Sequence, residues 1–496
     1  MPFAPELQTF GGRDLDKIQS EWHRLTARPL KHSDEFGHVD IDALTLSLRS
    51  RISTELSYSL TTFGLLTLVR PHSQHPRDRE REIGFPIAQA PELLDEAVDL
   101  MEDFAFEGVE DDEDLDDDAP LVTHKELVNL VLESETKPFA ALRPGPGTKD
   151  PDQGPGPRRA DIVLMVVFIV RSIAQGDEAS AAYLAKHEKL LHVLMRLCSL
   201  APSSKSSAPT PISPILSLVD VLTIRKEVIH MLVSFGWSID LSSDASLSKT
   251  ARLTIRRAFE LMASFLVDPS EAISPFQYVL HTGVNTHHKP PAPPSLANHA
   301  LEAFVRFTLP DDNRRAVAHA VPGAWVWTLF EGLVHRLPVT DADFQTIMRE
   351  SWIAYTERLV LALYALAFLA PPALKERAKR DAALGLPKVV LRLLRKLTLA
   401  VSPESRTMFV GLLRRAIELL KVVDDAADAF DAGTAAGPTL AFGVGYGEHG
   451  DGRVERGLGM LCAYQEDVTF GLMMHSVEVL DGTMFQELDS LTRVCP

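Results

Sequence analysis

Three stretches between Phe168 and Lys396 repeat one order of signals: an apolar helix end, a break, a short helix, a second break and a longer apolar helix. The first breaks are Gly176-Asp177, Pro310-Asp311 and Pro371-Pro372; the second fall near His187, at Pro322-Gly323 and at Gly385-Leu-Pro387. Glycine ends helices because its backbone is unrestricted, and proline because it cannot donate the helical hydrogen bond. The spacing therefore predicts a short helix of about a dozen residues between two others, three times over. A unit of that size cannot bury its apolar face alone and has to stack on a neighbour.

The fold expected from this pattern is all-α: an armadillo/HEAT-like helical-repeat solenoid carrying long disordered insertions. Residues 1–36 read as an N-terminal extension and 37–496 as the helical domain. Loops are expected at 108–120, 138–157, 201–214, 281–294 and 432–459. Ten of the twenty residues in 138–157 are Pro or Gly, too many for a packed element. Nearer the start, Ile41, Leu44 and Leu48 mark an apolar face, Ser50-Arg51 a corner, and Ile52, Leu56, Leu60 and Phe63 a second stripe with helical spacing. A helix opening at Pro91 puts Leu94, Ala97, Val98, Met101 and Phe104 on one side. Thr123-His-Lys-Glu126 has the capping-box pattern of a helix start.

The formal net charge of −18 is concentrated in one place. Fifteen acidic residues and no Lys or Arg lie between Glu92 and Asp118, which leaves the remainder close to neutral. Self-repulsion keeps the densest part, Glu110 to Asp118, a solvated loop, read first as a solubilising insert and alternatively as a tail that touches basic histone or subunit surfaces. The opposite bias runs from Lys375 to Lys421, with twelve Lys or Arg against four acids. Arg392, Arg395 and Lys396 on one helix, and Arg414 and Arg415 on the next, are the candidate partner-binding residues. Such a surface meets nucleic acid or an acidic protein segment. No aromatic residues interleave with it in the way that stacks bases, so a solvated or partner-facing surface is expected rather than direct DNA binding.

The sequence offers few other candidates for chemistry. Cys198, Cys462 and Cys495 have neither metal-like nor disulfide-like spacing, which argues for a reducing compartment. His281, His287, His288 and His299 cluster without a cysteine and around a proline-rich spacer, a poor frame for zinc. Gly445-Tyr-Gly-Glu-His-Gly450 has the letters of a dinucleotide loop but no strand before it. Ser238, after Phe235-Gly-Trp, lacks the second glycine of a nucleophile elbow and reads as a helix end. Ser246-Leu-Ser-Lys249 is a Ser-rich loop. Of Trp325 and Trp327, one is expected in the core and the other at a groove, and no tryptophan has the Asn four residues later that peptide-reading import receptors repeat. The first residues lack the basic-then-apolar pattern of a leader, and the apolar runs Ile162 to Val170 and Leu359 to Ala370 are shorter than the roughly 20 residues of a bilayer crossing. A soluble intracellular protein is expected, not an enzyme, with no cofactor, metal or membrane partner.

Pro5-Glu-Leu-Gln-Thr-Phe-Gly11, Phe36-Gly-His-Val-Asp-Ile-Asp-Ala-Leu-Thr-Leu-Ser-Leu-Arg-Ser50 and Ser53-Thr-Glu-Leu-Ser-Tyr-Ser-Leu-Thr-Thr-Phe-Gly-Leu-Leu-Thr67 carry a resemblance to a known family. Together with the helix at Pro91, they resemble the stretch that follows the ARID domain in fungal ARID-bearing subunits of SWI/SNF chromatin-remodelling complexes. Ser59-Leu60 stands where that family has Ala-Leu, and Arg51 where it often has Gly. The resemblance implies a nuclear, non-catalytic scaffold subunit whose armadillo-like domain gathers other subunits around a separate ATPase. The family's ARID would precede Pro5, so DNA binding does not carry over. A generic cytoplasmic helical-repeat adaptor is the alternative.

Overall fold

Asp40 begins the first helix by turning its carboxylate onto the backbone N–H groups of Asp42 (3.0 Å) and Ala43 (3.4 Å), which would otherwise lack partners. The computed structural model describes residues 38–68, 85–109, 120–135, 149–150, 154–155, 159–201, 209–241, 248–282, 292–399 and 409–425, with Leu461, Leu488 and Leu491. The extension 1–36, most of the expected loops, Glu110 to Asp118 and the Gly-rich 432–459 lie outside these residues.

The described chain is all-α apart from two two-residue strands, Lys149–Asp150 and Gly154–Pro155, paired antiparallel. It begins with α1 (Ile41–Arg49), α2 (Ser53–Leu68), α3 (Pro91–Phe106) and α4 (His124–Glu135). Next come α5 (Arg159–Gly176), α6 (Glu178–Ala185), α7 (Leu190–Cys198), α8 (Leu218–Phe235) and α9 (Lys249–Ser264). Then follow α10 (Pro275–His281), α11 (Ser295–Phe307), α12 (Asp311–Ala320), α13 (Gly323–His335) and α14 (Asp341–Ile347). The last are α15 (Glu350–Leu369), α16 (Pro372–Arg380), α17 (Leu386–Leu399) and α18 (Val410–Asp425).

The helix breaks fall where glycine and proline put them. The short helices α6, α12 and α16 have 8, 10 and 9 residues, and each takes its N-cap from the first break: Asp177, Pro310 and Pro371. In the first unit the closing helix α7 has only 9 residues, so the expected contrast of short and long does not hold there. Ile52 is 58 % exposed, because it follows a corner and precedes the helix start, whereas Leu56, Leu60 and Phe63 are buried as expected. The corner is Arg51, at φ 56°, in the left-handed region that favours glycine. Its guanidinium bonds Asp103 on α3 (3.0 Å), a contact glycine would not supply. Thr123 supplies one half of the expected capping box, accepting from Glu126 N–H (3.0 Å), and its hydroxyl donates to Asp268 (2.9 Å). Full boxes occur instead at Ser217/Asp220 and Thr340/Asp343.

Long helices pack in chain order: α2 on α5, α5 on α8, α8 on α11, α11 on α15 and α15 on α18. A second row runs from α3 to α7, α7 to α9 and α9 to α12. One contiguous apolar core follows both rows from Leu44 to Val423 and takes in Leu461, Leu488 and Leu491. Helix α15 has 20 residues and is long and apolar enough to cross a membrane, but two-thirds of its most apolar window is buried inside the protein, as befits the centre of the row.

Stacking buries helix ends, whose last carbonyls have no partner within the helix. Arginines from neighbouring helices supply donors. Arg225 bonds the carbonyl of Cys198, the last residue of α7 (2.8 Å). Arg306 bonds Val233 in the last turn of α8 (2.6 Å), and Arg314 bonds Thr308 (2.8 Å) and Leu309 (2.9 Å) just past α11. Arg336 reaches Leu266 just past α9 with two nitrogens (3.2 and 3.1 Å), and Arg196 reaches Val109 beyond α3 (2.7 Å). At the Leu266 junction α13 comes so close that a Cβ on Gly332 would sit 3.2 Å from the Leu266 carbonyl oxygen. Buried Asn313 joins two other ends, donating to Ile239 (2.9 Å) and Phe307 (3.0 Å).

The acidic helix α3 is clamped by cations from both sides. Arg49 pairs with Glu96 (2.6 Å) and Glu92 (4.0 Å), Arg51 with Asp103, Lys189 with Asp99 (3.1 Å) and Glu102 (4.0 Å), and Arg159 with Glu107. His187 bonds Asp95 (2.9 Å). Exposed pairs of this kind contribute little individually. Their role is to let a like-charged face lie against its neighbours.

Two outcomes test this packing. Arg336→Met leaves the Leu266 carbonyl buried without its donors and should lower stability by about 1–3 kcal/mol in urea unfolding, while the exposed Arg252→Met control stays within about 0.5 kcal/mol; equal curves would show the cap to be dispensable. His124 lies buried, stacked on Phe265 at 4.3 Å between ring centroids, and burial together with the charges of Arg225 and Lys226 lowers its pKa to about 4. An unfolded histidine titrates near 6.5, so the unfolded chain binds this proton first. The stability His124 contributes is therefore full above about pH 6.5 and lost as pH falls toward 4, by on the order of 3 kcal/mol. His124→Phe should remove that part of the pH dependence, and parallel curves for the two proteins would contradict it.

Candidate functional site

Helix α17 presents the clearest charged surface. Its sequence, Leu386-Pro-Lys-Val-Val-Leu-Arg-Leu-Leu-Arg-Lys-Leu-Thr-Leu399, contains no acid. Leu386, Val390, Leu391, Leu393, Leu394 and Leu397 are buried, and that fixes Lys388, Arg392 and Arg395 outward, with Lys396 half-buried beside them. Arg392 (3.0 Å) and Lys396 (2.9 Å) both bond the same carboxylate oxygen of Asp341, the first residue of α14. Bonds from Lys396 and then Arg392 hold the Asp341 carboxyl below the usual carboxylate range.

Arg414 and Arg415 belong to a different neighbourhood. Both pair with Glu418 on their own helix α18, Arg414 at 3.4 Å; Glu418 is itself buried. The Arg415 guanidinium also lies 5.8 Å from the centre of the Tyr364 ring on α15. The structure thus divides the five residues read from the sequence into a group on α17, two of which share the exposed Asp341, and a pair on α18 tied to the buried Glu418. Other cations of the basic stretch are likewise engaged: Lys375 is buried, Lys379 bonds the buried Asp424 (2.8 Å), and Arg380 bonds Glu376 (2.5 Å). Sequence reading missed Lys388 and Asp341. Lys388 was findable, standing four residues before Arg392 on the same face; Asp341 was not, being 51 residues away from Arg392.

Trp325 and Trp327 are both buried, each 6 % exposed, against the expectation of one at a groove. The reason is that α13 is covered on two sides. Arg256 of α9 lies over Trp325 (4.5 Å) and Arg377 of α16 over Trp327 (3.9 Å), an attraction between cation and ring face. Trp327 also walls a small apolar cleft with Val326, Phe330, Ala367, Ala370 and Ala378. Its indole N–H is buried and has no hydrogen-bond partner among the described residues.

The remaining candidates sort into structural roles. Burial pushes the Cys198 thiol up to about 12, out of the nucleophilic range. Ser238 closes a short 3-10 turn after α8, and Ser248 caps α9 by accepting from Ala251 N–H (3.1 Å). His299 meets His230 of α8 edge to face at 4.5 Å, and burial, with His299 and Arg171 nearby, lowers the His230 pKa. His287, His288, Cys462, Cys495 and Gly445 to Gly450 lie outside the described residues. Among the described residues, no group of three or more His, Cys, Asp or Glu is placed to hold a metal ion. Compared with known protein families and with curated proteins, the chain matches none.

Proposed function

We propose that the chain is an armadillo-like helical-repeat scaffold, and that it serves as a non-catalytic subunit of a SWI/SNF-type chromatin-remodelling complex in the nucleus. The observation that carries the first half is the order of packing: α5, α8, α11, α15 and α18 each lie on the next, as stacked units require. Short helices α6, α12 and α16 turn the chain between them. The second half rests on the residues from Pro5 to Thr67 that resemble the post-ARID stretch, and on the helix opening at Pro91.

Such a protein acts by binding. Its helices are ordered before a partner arrives, so association does not have to order them, and more of the contact energy appears as affinity. Partner helices or extended segments lie on exposed faces of the rows. The remodelling ATPase and its companion subunits are the proposed partners. The acids of α3 are already paired within the chain, so any contact with basic histone surface falls to the stretch Glu110 to Asp118.

Purification of the tagged chain from nuclear extract, with the co-purifying proteins identified, tests the reading. A remodelling ATPase with its companion subunits is the expected result. Cytoskeletal or trafficking proteins together with a cytoplasmic location would replace it by the adaptor alternative.

A further inference from the structure

We infer that the outward face of α17 binds an acidic polypeptide segment, and that Asp341 sits in this site as an internal stand-in for the partner's carboxylate. This deepens the scaffold reading and rests on it for the partner being a protein subunit.

Lys388, Arg392, Arg395 and Lys396 recur at intervals that place them along one side of a helix. At 1.5 Å per residue the stripe is about 12 Å long, enough for carboxylates one helical turn apart or on alternate residues of a strand. Its direction is set by the opposite face, whose leucines are needed in the core. The helix contributes four cations and no acid, in a chain whose formal net charge is −18. Asp341 shows that the geometry accepts a carboxylate, since one oxygen stands within 3.0 Å of both Arg392 and Lys396. It is also displaceable: the Asp341 side chain is 69 % exposed, so water can replace the bonds it loses.

The stripe favours a polypeptide over nucleic acid. It offers no aromatic surface for unpaired bases, and at about 12 Å it spans only a few phosphates of a duplex, whose affinity rests on many such contacts. An acidic segment of limited length meets the local positive charge without either handicap.

Fluorescence anisotropy of a labelled octaglutamate peptide, with a short DNA duplex as second probe, tests this on the full chain at low salt. Lys388→Glu with Arg392→Glu should weaken peptide binding ~10-fold or more. Asp341→Asn, which removes the internal competitor, should strengthen it ~3-fold. Helix content by circular dichroism should match the wild type in both; if the reversal variant unfolds, Lys388→Gln with Arg392→Gln takes its place. Equal peptide affinity in wild type and double variant overturns the site, and unchanged or weaker binding in Asp341→Asn overturns the stand-in role. Preferential duplex binding that the double variant loses would reassign the face to nucleic acid. Co-purification separates this inference from the scaffold reading. A remodelling ATPase recovered equally by wild type and double variant removes α17 from the interfaces and leaves the scaffold standing. Failure of the wild type to recover it removes the scaffold reading whatever the peptide does.

Discussion

The bond between a buried guanidinium and a helix-end carbonyl is the constraint on which the stacking depends. A chain cut into this many short helices produces an unpaired set of carbonyls at each C-terminus, and stacking removes the water that would otherwise satisfy them. Arginine suits the task because it stays charged, carries five donors and meets the negative end of the helix dipole favourably. The same solution recurs at Cys198, Leu266 and Thr308, and the half-buried Arg306 repeats it at Val233. A fixed fork also limits how far one helix can slide along another. At the Leu266 junction Gly332 reinforces this by allowing the closest approach.

These demands explain where the charges of the chain are used. The basic stretch reads as +8 only while its members are counted without partners. Lys379 neutralises Asp424, Arg414 and Arg415 share Glu418, and Arg377 covers Trp327. The acidic stretch behaves the same way along α3, where residues from α1, α5 and the turn before α7 answer its carboxylates. Among the described residues, much of the apparent polarity of these two stretches is therefore answered within the chain. The outward face of α17 differs because Arg392 and Lys396 share one exposed acid instead of a buried one.

What could be read from the sequence follows the range of each signal. The breaks at Gly176-Asp177, Pro310-Asp311 and Pro371-Pro372 were legible because proline and glycine act on their own backbone. The buried faces of α2, α3 and α17 were legible because periodicity is local. Arg336 was not, since its partner Leu266 is 70 residues away and an arginine in a helix pattern reads as solvent-facing. Trp325 and Trp327 failed for a related reason: two residues apart on a helix they point to different sides, and only the packing of α9 and α16 shows that both sides are covered. Ile52 failed because apolar spacing extends through a corner that the backbone at Arg51 interrupts. At the candidate site the stripe was legible and its counter-ion was not.

Stiffness follows from the same contacts and bears on how such a scaffold would act. Moving α13 relative to α9, or α12 relative to α11, exposes a carbonyl and a guanidinium to a site that water cannot easily enter, which costs more than sliding two apolar faces past one another. The α14–α17 contact is of the other kind, because Arg392, Lys396 and Asp341 are all partly exposed and can exchange partners in water. A row of helices held by buried caps, with an exchangeable ion cluster on its flank, keeps the cost of binding away from the fold. A partner that replaces Asp341 changes a surface ion pair and leaves the buried caps as they were.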